Sequence, residues 1–66
     1  MAKINKTTTS EIVAEFNSKS EMLVQILQTI VQRFGWIPEE TIRQLAEELN
    51  LSRADVHGVV EYYHDF

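Results

Sequence analysis

The chain has 66 residues, no cysteine, two glycines, one proline and a formal net charge of −4. That is one small domain at most, with neither disulfide staples nor thiolate metal ligands. No apolar run approaches the roughly 20 residues of a membrane span, and the polar N-terminus is not a signal peptide, which points to the cytoplasm.

Residues 1–7 lack an apolar period and are expected to be disordered, leaving 8–66 as the folded unit. Thr8-Thr9-Ser10-Glu11 fits a capping box, in which a hydroxyl and a carboxylate three residues on each satisfy a backbone N–H. Ile12, Val13 and Phe16 then give a short amphipathic helix closed by Asn17, marginal unless its apolar face docks. Ser18-Lys19-Ser20-Glu21 repeats the box. It precedes Met22, Leu23, Ile26, Leu27, Ile30, Val31 and Phe34, whose three- and four-residue steps are the clearest helical signal in the chain. Gly35 stops that helix by taking a left-handed conformation. Pro38 suits the first position of the next helix, with Glu39 and Glu40 facing the positive end of its dipole. Ile42, Leu45, Ala46 and Leu49 form its buried stripe, and Asn50 its cap. Ser52 and Asp55 open a final helix with Val56, Val59, Val60 and Tyr63 inward. The expected fold is all-α, a small four-helix bundle with a helix-turn-helix-like C-terminal pair. A core of this size rarely supplies more than roughly 3–5 kcal/mol without help.

The helix-turn-helix spacing raises DNA binding as an alternative function. The charges oppose it. Residues 1–35 hold Glu11, Glu15 and Glu21 against Lys3, Lys6, Lys19 and Arg33. Residues 36–66 hold Glu39, Glu40, Glu47, Glu48, Asp55, Glu61 and Asp65 against only Arg43 and Arg53. DNA affinity comes mostly from neutralising phosphates, whereas the would-be recognition helix turns Asp55 and Glu61 outward. No nucleic-acid partner is expected.

His57, Glu61 and His64 recur at i, i+4, i+7 and could hold a divalent ion, although a solvated polar face explains the same pattern. The serines are placed as caps, without a base at a suggestive spacing, so no catalytic residue is assigned. Gly58 interrupts the last helix at up to about 1 kcal/mol relative to alanine. It marks either simple tolerance or a close backbone approach. Trp36, Tyr62 and Phe66 exceed what so small a bundle can bury, and aromatics are favoured interface anchors. The chain stops on Glu61-Tyr62-Tyr63-His64-Asp65-Phe66 without a polar tail, as though a further domain followed. Trp36, Gly58, Tyr62, Tyr63 and Phe66 are therefore the candidate contact residues, and a free-standing protein-interaction module is a third possibility.

The islands Ile26-Leu27-Gln28, Phe34-Gly35-Trp36-Ile37-Pro38-Glu39-Glu40, Leu45-Ala46-Glu47-Glu48-Leu49, Leu51-Ser52-Arg53-Ala54-Asp55-Val56-His57-Gly58-Val59 and Tyr62-Tyr63-His64-Asp65-Phe66 have matching gaps. Together they resemble the N-terminal helical part of the small 2Fe–2S subunit of NADH-oxidising modules. The family includes the small flavoprotein-module subunit of complex I and its equivalents in NAD(P)-linked formate dehydrogenases and hydrogenases. The resemblance covers residues 22–66. Trp36 stands where the family usually has tyrosine, and Tyr62 where it has phenylalanine. The resemblance implies a helical docking domain ahead of a thioredoxin-like domain whose four cysteines hold a 2Fe–2S cluster. It also implies a larger subunit carrying flavin and the nicotinamide site. This chain lacks the cysteines, so the cluster is expected in a C-terminal domain beyond it. The branch favoured by overall likeness is the NADP-reducing hydrogenases.

Overall fold

The structure is a computed structural model that describes residues 3–62. Helix α1 spans Lys6–Glu15, a single 3-10 turn Ser20–Met22, α2 Leu23–Phe34, α3 Glu39–Glu48 and α4 Arg53–Tyr62. The described residues contain no strand, and the all-α four-helix architecture is as expected.

The starts of the helices show which local interactions prevail. Helix α1 begins ahead of the Thr8 box, on a different one. The Asn5 side chain accepts from the Thr8 N–H at 2.9 Å, while the Asn5 N–H donates to Thr8 Oγ1 at 2.9 Å. Starting there, Ile4 packs against the core. The second expected box, at Ser18, does not form. An N-cap needs extended backbone, and Ser18 has φ 53 instead. That conformation closes α1: Ser18 N–H donates to the Val13 carbonyl and Asn17 N–H to that of Ala14. These are the two bonds of a Schellman motif. The chain then passes through the 3-10 turn into α2, which has no side-chain cap.

Helix α2 ends as expected, with Gly35 at φ 88 and its N–H on the Val31 carbonyl at 2.8 Å. Pro38 sits one position earlier than expected. It is the N-cap of α3, extended at φ −66 and ψ 154, and its carbonyl accepts from the Thr41 and Ile42 N–H groups. Helix α3 closes like α1, with Asn50 at φ 57 and Leu51 N–H on the Ala46 carbonyl. The Ser52–Asp55 box does form: Asp55 N–H donates to Ser52 Oγ at 3.0 Å, with a longer return bond of 3.4 Å from Ser52 N–H to Asp55 Oδ2.

All four helices contribute to one core. Ile12 and Val13 from α1 meet Leu23, Ile26, Leu27 and Ile30 from α2, Ile42, Leu45 and Ala46 from α3 with Leu49 at its end, and Val56 from α4. Phe34, Ile37, Val59 and Val60 pack around it, partly buried. Helix α1 lies against α2 and α3, and α4 against α3 and α2. Polar contacts hold α1 from outside. Gln44 Nε2 donates to the Lys6 carbonyl at 2.8 Å and to Ser10 Oγ at 2.9 Å, and Ser10 Oγ donates to Glu48 at 2.9 Å. Arg33 grips Glu15 with two parallel 2.9 Å bonds.

Candidate docking surface

The connection from α2 to α3 is short and fixed at both ends. Gly35 reverses the chain, Pro38 restricts the entry to α3, and Phe34 and Ile37 on either side pack on the core. Trp36 is held between them with 64% of its surface exposed. A large ring on an anchored loop loses little freedom when a partner covers it, which favours binding.

On α4 the core side is Val56, with Val59 and Val60 half-buried, and the opposite side is exposed. At 3.6 residues per turn, Gly58 falls at the middle of the exposed face. A Cβ built at Gly58 would meet nothing within 4 Å, and its φ is not positive. Neither crowding within the chain nor backbone conformation explains a glycine there, although it costs the helix about 1 kcal/mol relative to alanine. Tyr62 follows one turn later, 76% exposed.

The side chains of His57 and Glu39 join the two elements. Glu39 is the first residue of α3, three after Trp36, and its carboxylate accepts from His57 Nε2 at 2.8 Å. Of the metal pattern suggested by the sequence, His57 thus has its Nε2 turned to α3, while His64 lies outside the described residues. Among the described residues no group of three or more His, Cys, Asp or Glu could hold a metal ion. Of the five candidate contact residues, Trp36, Gly58 and Tyr62 are exposed, and Tyr63 and Phe66 lie outside the described residues.

Elsewhere, a groove of about 300 Å³ runs between the start of α1 and α3. Its rim mixes Lys6 and Arg43 with Glu40 and Glu47, so it presents no single sign of charge. The paired side chains of Glu15 and Arg33 titrate away from their ordinary values. Hydrogen bonding from Arg33 holds the Glu15 carboxyl below the ordinary glutamate range, and the same bond raises Arg33. No helix among the described residues is long and apolar enough to cross a membrane.

Residues 9–66 match the family described as thioredoxin-like 2Fe-2S ferredoxin. An NADH-quinone oxidoreductase subunit from Aquifex aeolicus (strain VF5) is 34% identical over 61 residues, which is 92% of this chain and 38% of that protein. The protein of the same name from Buchnera aphidicola subsp. Baizongia pistaciae (strain Bp) is 29% identical over 52 residues, 79% of this chain and 30% of that one. The chain thus spans only about a third of the length of these curated relatives.

The cluster named in the family description does not fit the residues present here. Iron–sulfur clusters are held by cysteine thiolates, and this chain has no cysteine. What it shares with the family is a helical segment without the cluster-holding part. On the match over residues 9–66, the chain belongs to the thioredoxin-like 2Fe-2S ferredoxin family.

Proposed function

We propose that residues 8–66 are the non-catalytic docking domain of an iron–sulfur electron-transfer subunit, set ahead of a 2Fe–2S domain. The domain orients that cluster domain against a subunit carrying flavin and the nicotinamide site. Its whole complex is an NAD(P)-linked oxidoreductase, either a hydrogenase, a formate dehydrogenase or a complex I-like assembly. The observation that carries this reading is Trp36, a large ring left exposed on a loop whose flanking Phe34 and Ile37 pack on the core. Family membership and the name of the relatives, subunits of an NADH-quinone oxidoreductase, support the electron-transfer setting. Within that range we favour an NADP-reducing hydrogenase.

The decisive measurement is calorimetric titration of the whole 2Fe–2S subunit, carrying this segment, with its flavin-bearing subunit. Wild type should bind, and deleting residues 8–66 should slow nicotinamide-linked electron transfer while leaving the cluster's spectrum intact. An unchanged rate after deletion would exclude docking. The hydrogenase assignment is checked separately by hydrogen-dependent reduction of NADP by the complex. DNA regulation, the competing reading of the helix pair, fits the surface poorly, because α4 turns Asp55 and Glu61 to solvent. Salt-sensitive binding of random duplex DNA would restore it.

A further inference from the structure

We propose that the groove between the start of α1 and α3 binds a small zwitterion of the α-amino acid class, its carboxylate accepting a hydrogen bond from the Thr41 hydroxyl. Thr41 is a buried polar residue, only 4% exposed. Its N–H donates to the Pro38 carbonyl, but its hydroxyl has no hydrogen-bond partner among the described residues. Thr9 and Thr29 place theirs on the carbonyl four residues back. Four residues before Thr41 is Ile37, which lies ahead of the N-cap of α3, so its carbonyl is outside the helical ladder. Every fully buried side-chain oxygen or nitrogen among the described residues is paired. The Thr41 hydroxyl is therefore not sealed in, and the residue's small opening lies where it lines the groove. A nearly buried hydroxyl without a protein partner costs the fold. Its gain comes from an acceptor that enters the groove.

The rim decides what else that molecule carries. Lys6 and Arg43 line the groove together with Glu40 and Glu47. All four are exposed, and none is in an ion pair among the described residues. A plain anion would meet both carboxylates and a plain cation both bases, each an unfavourable encounter. A molecule with one charge of each sign offers a partner to both sets. Its carboxylate belongs beside Thr41, which is a donor. The start of α3 there has no side-chain cap and is the positive end of the helix dipole. Its ammonium belongs toward Glu40 and Glu47. The groove, about 300 Å³, is at the small end of ligand sites and suits a molecule of this size.

The probe is glycine, titrated into the full chain while amide chemical shifts are followed, with acetate, methylammonium and inorganic phosphate as single-charge controls. Glycine should give saturable shifts centred on Thr41 and Lys6, and should bind about tenfold more tightly than any control. Thr41→Val separates folding from binding because the two should move in opposite directions. The variant should unfold at a higher temperature, having lost an unpaired hydroxyl, and should bind glycine on the order of tenfold more weakly. Thr41→Ser should keep the affinity. Replacing Glu40 and Glu47 together by glutamine should move the preference from glycine toward acetate. Glycine that produces no saturable shift at Thr41 would overturn the site. Acetate or phosphate binding as tightly as glycine would overturn the zwitterion. Wild-type affinity in Thr41→Val, with helical circular dichroism retained, would remove the hydroxyl from the site and sink the proposal as well.

Discussion

Among the described residues, four hold backbone angles that side chains generally avoid. Gly35 lies at φ 88, and Asn17, Ser18 and Asn50 lie near φ 55. The asparagines are suited to this region, in which a short polar side chain can compensate locally. Ser18 is the least suited of the four. Ser18→Gly should therefore raise the unfolding free energy by several tenths of a kcal/mol, and Gly35→Ala should lower it by about 1 kcal/mol. Both are measured by thermal or urea unfolding of the chain. The Gly35 stop was legible in the sequence because glycine has one dominant reason to follow an apolar helical stripe. The left-handed turn at Ser18 was not, since serine followed by glutamate three residues on reads equally well as a helix start. What decided it was the pair of bonds that α1 needs to close, which no local pattern displays.

At the level of elements, the helices were readable where apolar spacing was long and ambiguous where polar residues offered competing caps. Asn5–Thr8 and Thr8–Glu11 are both plausible starts for α1. The earlier one prevails as Ile4 packs on the core, a tertiary gain invisible in the local sequence. The Ser52–Asp55 box had no such rival, and Ser52→Ala should cost about 1 kcal/mol in urea unfolding. The links from α1 to its neighbours were also illegible, because Gln44 with Ser10 and Arg33 with Glu15 are brought together only by the fold. The latter pair makes stability depend on pH. The Glu15 carboxyl is lowered on folding by its bond to Arg33. The contribution is therefore complete above the unfolded glutamate value and is lost as pH falls through the lower folded value. Thermal midpoints of wild type and Glu15→Gln should differ near neutrality and converge in acid. Both groups are well exposed, so salt should narrow the gap as well.

Across the whole molecule, the residues that hold the core are distinct from those proposed for docking. Leu27, Ile30 and Leu45 are wholly buried, and Leu27→Ala should cost about 2–5 kcal/mol, enough to unfold a domain this small. Trp36→Ala should leave the unfolding free energy within about 0.5 kcal/mol of wild type while, on the proposed docking, weakening capture by the flavin-bearing subunit. The same division explains what could be inferred about the candidate surface. An excess of rings and an interrupting glycine were visible in the composition and spacing. Which of them face outward became visible only once the core had taken its share, and Trp36 rather than its neighbours Phe34 and Ile37 was the one left out.

That placement gives the protein a built-in reporter. It has a single indole, and 64% of that residue's surface already faces water when the chain is folded. Melting the bundle should therefore move its emission little, even as helical ellipticity vanishes. If the proposed docking covers Trp36, a blue shift and protection from an aqueous quencher should accompany it, so the native tryptophan signal would follow association almost independently of folding.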